Sequence, residues 1–451
     1  MRYLPHTPED IETMLQAIGV PSIASLFDSI PKEVQLGRPL AIPSAMDEAS
    51  LMAHLSRLAK TNTGAEALSF LGGGIYQHHV PPAVDQLLLR GEFYTAYTPY
   101  QAEVAQGTLQ AIFEFQTIVS ELLGMPVANA SMYDGASAAA EAVLMAQRLT
   151  KRSHVLVSEG VHPEYLETIR TYVQGLPGGS AQIEMVPLSK RGGADPETLR
   201  ERLKVGDAAC VVVGYPNFFG CVNDVRSLAE LAHENGALLV TATAEPYALA
   251  LVESPGALGA DIAVAEGQPL GLPAQYGGPG CGLFACRDTR EFMAQIPGRL
   301  CGETVDKHGT RGYVLTLATR EQHIRRERAT SNICTNHALC ALAITIRMCL
   351  LGKVGFVAVA QQCFAKTEYV KKELAGSGVW ELPYDAPTFN EFVARSKKGS
   401  VKGLLETLAG EGILAGLDVS RWDGARDRDL LISVTELHTR ADLDRLVARL
   451  S

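Results

Sequence analysis

Between Lys204 and Lys307 the chain has no lysine. That gap takes every amine nucleophile out of a stretch rich in glycine loops. Positive charge is also short: the net charge of −10 argues against nucleic acid or an anionic membrane as the main partner. The start, MRYLPHTPED, has no apolar run, so no signal peptide is expected. No window of about 18 uninterrupted apolar residues is present, so no transmembrane helix is expected. HExxH, CxxC, GxGxxG and GxxxxGK[ST] are absent, which removes the usual zinc, redox, dinucleotide and P-loop readings. The nine cysteines run from Cys210 to Cys363, several inside apolar runs. They read as reduced thiols used as small core residues, and the chain as cytoplasmic. The histidines are expected to be surface or hydrogen-bonded groups, with no metal.

What is present fits a chain of two or three domains with a large core. Thr7-Pro8-Glu9-Asp10 starts a helix, with Thr as N-cap and Pro at the first turn. Ile11, Met14, Leu15 and Ile18 follow at helical spacing, and Gly19 ends it. Asp47 opens a second helix. Residues 1–62 read as a helical arm that packs on another surface. From Val155 strands alternate with helices: VLVS, Ile183–Val186, ACVVVGYP and ALLVTAT are strands, with helices between. This pattern predicts βαβ units and a mostly parallel sheet. Ligands in such sheets sit at the carboxyl ends of the strands, here the loops after Ser158, Gly214 and Thr243. A long helix is expected over Gln101–Gly124. Two more are expected over Cys334–Leu351 and Val354–Ala375. Shorter strands and helices then suggest a small α+β domain from about residue 351.

Asp261–Cys286 reads strand, loop, strand. Its glycines let the backbone pass close to something. Four other stretches could carry chemistry. The turn at Ala130–Ser137 opens a helix, a possible anion site, but Asp134 would repel a phosphate and capping alone accounts for Asp134 and Ser137. Tyr94, Tyr97, Thr98, Tyr100 and Gln101 set three phenols, a hydroxyl and an amide just before a helix, suited to an interface or pocket wall, or to an ordinary surface loop. Arg320, Arg325, Arg326 and Arg328 read as a solvated, ion-paired run, with Thr330, Ser331 and Asn332 as turn residues after it. His162-Pro163-Glu164-Tyr165 sits at a strand end, as a ligand contact or a helix start.

Several of these motifs carry a resemblance. TPYQAEVAQG, ANASMYDGASAAAEA, QYGGPGCGLFA, REQHIRRERATSNICT and FNEFV resemble the P protein of the glycine cleavage system, glycine dehydrogenase (decarboxylating). The resemblance spans nearly the whole chain. The family occurs as one double-length chain or as two subunits, and this chain resembles the N-terminal half, subunit 1 or alpha. The resemblance implies an α/β fold of the fold-type-I pyridoxal-phosphate class: a helical arm over 1–62, a large domain over 63–350 and a small C-terminal α+β domain over 351–451.

It also implies that the catalytic lysine lies on the partner, subunit 2 or beta. The matching loop here, Glu266-Gly267-Gln268-Pro269, is read as a vestige with no cofactor-binding residue. Glu245 is the nearest match to the acid that usually meets the pyridine nitrogen. Implied partners are that subunit, in a pair that pairs again into a tetramer, and the lipoylated H protein, with glycine as substrate. No residue of this chain is then catalytic. Tyr94, Tyr97, Thr98, Tyr100 and Gln101, and secondarily Thr330, Ser331 and Asn332, would wall the partner's site. Two rival readings stay open: an autonomous pyridoxal-phosphate enzyme using a lysine such as Lys307, and a purely structural subunit.

Overall fold

The structure is a computed structural model that describes residues 5–175 and 181–451; the first four residues of the MRYLPHTPED start lie outside it. The chain forms two compact units, Met1–Thr63 and Gly64–Ser451.

The first unit carries α1 (Pro8–Ile18) and α2 (Glu48–Ala59). Thr7 caps α1 in a reciprocal box with Asp10, and Gly19 ends it at φ 81°. Asp47 caps α2 by accepting from Ser50 N. Neither helix buries a residue, so Ile18, Met52 and Leu58 stay exposed.

A seven-stranded sheet forms the centre of the second unit: β1 (Val127–Ala128), β2 (His154–Ser158), β3 (Gln182–Val186), β4 (Ala208–Gly214), β5 (Leu238–Thr243), β6 (Ile262–Glu266) and β7 (Gly282–Cys286). Their order is β1-β7-β6-β5-β4-β2-β3, with β7 antiparallel to both its neighbours and the other pairings parallel. Every residue of β4 is buried, because side chains of both hands are covered. Val211 and Val213 join one core with Leu239 and Leu283, while Cys210 and Val212 join the other with Val240 and Val264. Helix α4 (Gly135–Thr150) follows α3 (Gln106–Leu123). Its alanines at 138–140 and 142 are fully buried, and side chains that small let the helix lie close to the sheet. The other sheet helices are α5 (Pro163–Val173), α6 (Pro196–Leu203) and α7 (Val225–Glu234).

Helix α3 begins at Gln106 rather than at Gln101. The Gln106 amide is clamped to both backbone groups of Tyr313, at 2.8 Å each, and the residues before it turn instead. After the sheet come a hairpin, β8 (Leu300–Val305) and β9 (Arg311–Thr316), and the long helical run α8 (Ala338–Gly376). Gly352 breaks that run at φ 61° and ψ 175°, so it holds two helices, as its sequence suggests.

Taken as one run, α8 is long and apolar enough to cross a membrane by length and composition, but Gly352 divides it. It is also a packing helix: Ile344, Phe356 and Ala360 enter the core, and buried Arg347 donates to the His79 carbonyl. The C-terminal lobe holds an antiparallel sheet of β10 (Trp380–Glu381), β11 (Glu391–Ser396), β12 (Leu417–Asp418) and β13 (Asp429–Ser433), in the order β10-β11-β13-β12. Helices α9 (Lys402–Gly410) and α10 (Arg440–Leu450) cover it. Leu68–Ser69 pairs in parallel with Ile413–Leu414.

Gly220, in the loop after β4, meets this lobe. Its φ is 80°, and a Cβ there would lie 1.8 Å from the Glu391 carbonyl oxygen. Gly220→Ala is expected to destabilise the chain by at least about 2 kcal/mol, read as a lower urea midpoint with unchanged slope.

Candidate functional site

The glycine loop between β6 and β7 passes close to its own chain. Glu266, the last residue of β6, is buried, and its carboxylate accepts three backbone N–H bonds: from Gly135 (2.8 Å), Gln268 (2.8 Å) and Cys281 (2.9 Å). Gly135 is the first residue of α4, so this carboxylate occupies the helix N-terminus where an external anion would otherwise bind. Burial pushes the Glu266 carboxyl above its ordinary range, and the three N–H bonds oppose that. Asp134 supplies the cap itself, accepting from Ser137 N at 2.7 Å. Close packing demands the glycines: a Cβ on Gly135 would be 2.2 Å from the Tyr165 hydroxyl, and one on Gly282 would be 2.3 Å from the Asp134 carbonyl. Gln268 uses both ends of its amide, accepting from Tyr76 N at 3.2 Å and donating to Tyr76 O and Leu272 O. Gly267 and Pro269 are buried beside it.

At the carboxyl ends of β4 and β5 the loops after Ser158, Gly214 and Thr243 line a cavity of about 20 Å³. That volume holds one water. Tyr76, His162, Asn217, Glu245 and Glu391 are among its walls. The His162 ring packs against Tyr165 and Phe218, both at 5.0 Å between centroids. Its Nδ1 accepts from Glu164 N, so Nε2 carries the hydrogen and donates to the Gly73 carbonyl at 2.6 Å. Burial holds its pKa below the ordinary range. Burial also pushes the Glu391 carboxyl up to about 8, while its bonds from Gly73 N and the Tyr76 hydroxyl oppose that.

Glu245 is taken by its neighbours. One oxygen meets His78 Nε2 at 2.9 Å, and the other accepts from Tyr247 N at 3.0 Å. The other ring nitrogen of His78 meets Glu436 at 2.7 Å. His78, Cys363 and Glu436 are close enough to one another for a metal. Both imidazole nitrogens, however, are spent on carboxylates, which leaves no lone pair for an ion.

Pyridoxal phosphate therefore does not fit here. The N-terminus of α4, where an anion would bind, holds Glu266; Glu245, the match to the acid that usually meets the pyridine nitrogen, is bound to His78; and the cavity is the size of a water. Lys307 is exposed in the β8–β9 turn and does not line the cavity.

The aromatic segment divides in two. Tyr94 and Tyr97, 62% and 80% exposed, border an apolar groove with Phe93, Ile112, Leu339 and Leu342. Thr98 and Tyr100 turn to Arg299, a buried residue that the sequence reading passed over. Its Nη1 donates to the Thr98 hydroxyl at 3.0 Å, and its Nη2 to the Tyr100 hydroxyl at 3.1 Å and the Cys334 carbonyl at 3.0 Å. Its Nε pairs with Glu321 at 3.3 Å. Gln101 is exposed.

The basic run is not uniformly solvated. Arg320 is buried and donates to the Ile296 and Gly298 carbonyls, while Arg325, Arg326 and Arg328 are exposed. Thr330 N bonds the Arg320 carbonyl, Ser331 Oγ accepts from Ile333 N, and Asn332 is exposed. Beyond them the chain is stitched to the turn before α4: Cys334 N donates to the Tyr133 hydroxyl, Asn336 to the Ala130 carbonyl, and His337 N to Ser131 Oγ. Ser131 sits at φ 115°, a strained position for a residue other than glycine. A single arginine between a glycine and a leucine gives no periodic signal, which is why Arg299 is invisible until the chain is folded.

The architecture, a mostly parallel sheet with one antiparallel strand and a C-terminal α+β lobe, is that of the fold-type-I pyridoxal-phosphate enzymes. A sphingosine-1-phosphate lyase from Burkholderia pseudomallei shares it at a TM-score of 0.67 and 16% identity, over 93% of this chain and 94% of that one. The sequence signature of the glycine cleavage system P-protein matches residues 1–450, and the chain belongs to that family. A relative from Sorangium cellulosum, named "Probable glycine dehydrogenase (decarboxylating) subunit 1", is 64% identical over 100% of this chain and 99% of its own. One of the same name from Desulforamulus reducens is 47% identical over the same shares. A solved glycine decarboxylase (P-protein) of the glycine cleavage system, in inhibitor-bound form, superposes with a TM-score of 0.89 at 43% identity, over 100% of this chain and 99% of that one.

Proposed function

We propose that this chain is the subunit of glycine dehydrogenase (decarboxylating) that carries no cofactor. Its parts are an arm to residue 62, a large domain over 63–350 and a C-terminal domain over 351–451. The partner, subunit 2, holds the pyridoxal phosphate and its lysine. Together they decarboxylate glycine and pass the aminomethyl group to the lipoyl arm of the H protein, in a tetramer made of two such pairs. The observation that carries this reading is Glu266 on the N-terminus of α4, a carboxylate of the chain itself where the cofactor's phosphate would bind. Exposed apolar residues on α8, Leu339, Leu350 and Val354, support a partner face.

Tyr94, Tyr97, Thr98, Tyr100 and Gln101, and secondarily Thr330, Ser331 and Asn332, wall the partner's site. They position substrate and exclude water without making bonds. Titrating the isolated chain with pyridoxal phosphate is expected to give no aldimine absorbance, and adding subunit 2 to restore it. A cofactor bound covalently to this chain alone overturns the reading. In the reconstituted pair, the double variant Tyr97→Ala with Tyr100→Ala is expected to lower glycine turnover by about 10²-fold. Unchanged pairing together with unchanged turnover would make the chain a structural subunit.

A further inference from the structure

Arg299 is 2% exposed and touches three separate segments of the chain through its bonds to Thr98, Tyr100, Glu321 and Cys334. The direction of these bonds has a chemical consequence. A guanidinium only donates, so the oxygens of Thr98 and Tyr100 accept from it. Each hydroxyl hydrogen is then left to donate elsewhere, and the cation behind it makes it a stronger donor. The two hydroxyls bond Nη1 and Nη2 of one planar group, which fixes them relative to each other. Tyr100 also lies over the guanidinium, 5.3 Å from its carbon to the ring centroid. The Tyr100 side remains open, at 60% exposure, so the pair is not sealed in the core. Glu321 pairs with Nε at 3.3 Å, so the buried charge is compensated without using either hydroxyl.

We propose that Arg299 is a positioning residue that holds the Thr98 and Tyr100 hydroxyls as a pair of O–H donors for the carboxylate of the substrate bound on the partner subunit. This rests on the reading that the aromatic segment borders the partner's site. It adds which two side chains contact substrate, which group of the substrate they take, and what keeps them aligned. Tyr94 and Tyr97 have no part in it, because they border the apolar groove.

The test uses the reconstituted pair and two ligands, glycine and methylamine, the latter an amine without the carboxylate. Affinity is read from the absorbance change of the bound cofactor, and glycine turnover is split into kcat and KM. For T98V/Y100F, glycine affinity and glycine kcat/KM are expected to fall about ten- to a hundredfold, while methylamine affinity is unchanged. R299M would leave Glu321 buried without its partner, so R299M/E321M is made beside it, and is expected to reproduce the T98V/Y100F pattern. Amide hydrogen exchange over residues 96–101 and 330–335 is expected to rise in R299M/E321M and not in T98V/Y100F.

Equal loss for glycine and methylamine in T98V/Y100F overturns the carboxylate pairing while leaving the aromatic segment at the partner's site. No change for either ligand there, together with unchanged glycine turnover in Tyr97→Ala/Tyr100→Ala, overturns the siting of that segment as well. Normal glycine affinity in R299M/E321M, with T98V/Y100F impaired, removes the positioning role of Arg299.

Discussion

Glu266→Ala is expected to lower the unfolding free energy of the chain by roughly 3–5 kcal/mol, among the largest effects of any single substitution in it. The wild-type carboxylate accepts from Gly135, Gln268 and Cys281, and all three donors lie where the chain is tightly packed. Alanine leaves three buried N–H groups without acceptors, each costing about 1–3 kcal/mol, less the relief of no longer burying a carboxylate. Glu266→Gln should cost less. Its one oxygen can still serve the Gln268 and Cys281 amides, which share a single carboxylate oxygen in the wild type, while its NH₂ would face the Gly135 N–H. The ranking alanine worse than glutamine, read as urea midpoints of the chain, checks the geometry. A Glu266→Ala variant within about 1 kcal/mol of wild type would mean that water enters to satisfy those amides.

His78→Phe is the second large effect expected, at about 3–5 kcal/mol. It leaves the buried Glu245 carboxylate and the half-buried Glu436 carboxylate without the cation between them. Its pH dependence has a definite sign. Burial by itself lowers the His78 pKa, but the Glu245 charge and the hydrogen bonds from its neighbours carry it well above its ordinary 6.5. A raised histidine contributes fully below its unfolded value and loses that contribution as pH rises through the folded one. Burial tends to raise Glu436, yet the His78 hydrogen bond and charge hold it down at about 2. A depressed carboxylate contributes above its unfolded value, ordinarily 4.5, and loses that contribution as pH falls toward 2. The stability gap between wild type and His78→Phe should therefore be widest between about pH 4.5 and 6.5, and narrow on both sides. Urea unfolding of both proteins across that range measures it; a gap independent of pH would show that His78 is not charged in the fold.

The parts legible in sequence were those governed by local rules. Strands β4 to β6 read as apolar runs because both their faces are covered, and Thr7, Asp47 and Asp134 declared helix starts because capping needs only a side chain and the next turn. The break at Gly352 was legible for the same reason. The candidate site was less so. Asp134 reads as a cap, but Glu266 and Gly135 are far apart in the chain, and only the sheet order brings the strand end to the helix start. The glycines beyond Glu266 signalled close approach without saying to what; the answers are the Cys281 carbonyl for Gly267, the α8 backbone at Ile344 for Gly271 and the Asp134 backbone for Gly282. Arg320 was lost in a charged run, since burial of one guanidinium among exposed ones follows from carbonyls contributed by residues 296 and 298.

The two-residue ladder between Leu68–Ser69 and Ile413–Leu414 continues into Phe70, whose N–H donates to the Leu414 carbonyl at 2.7 Å and whose carbonyl accepts from Ser433 at 3.0 Å. The start of the second unit thus supplies part of the core of its end. A nascent chain growing from its N-terminus holds Phe70 uncovered through most of its synthesis, because its binding place emerges from the ribosome nearly last. Loop closure over that span is a late and slow event, so the Leu68–Phe70 segment, made early and covered last, is what needs shelter while translation finishes.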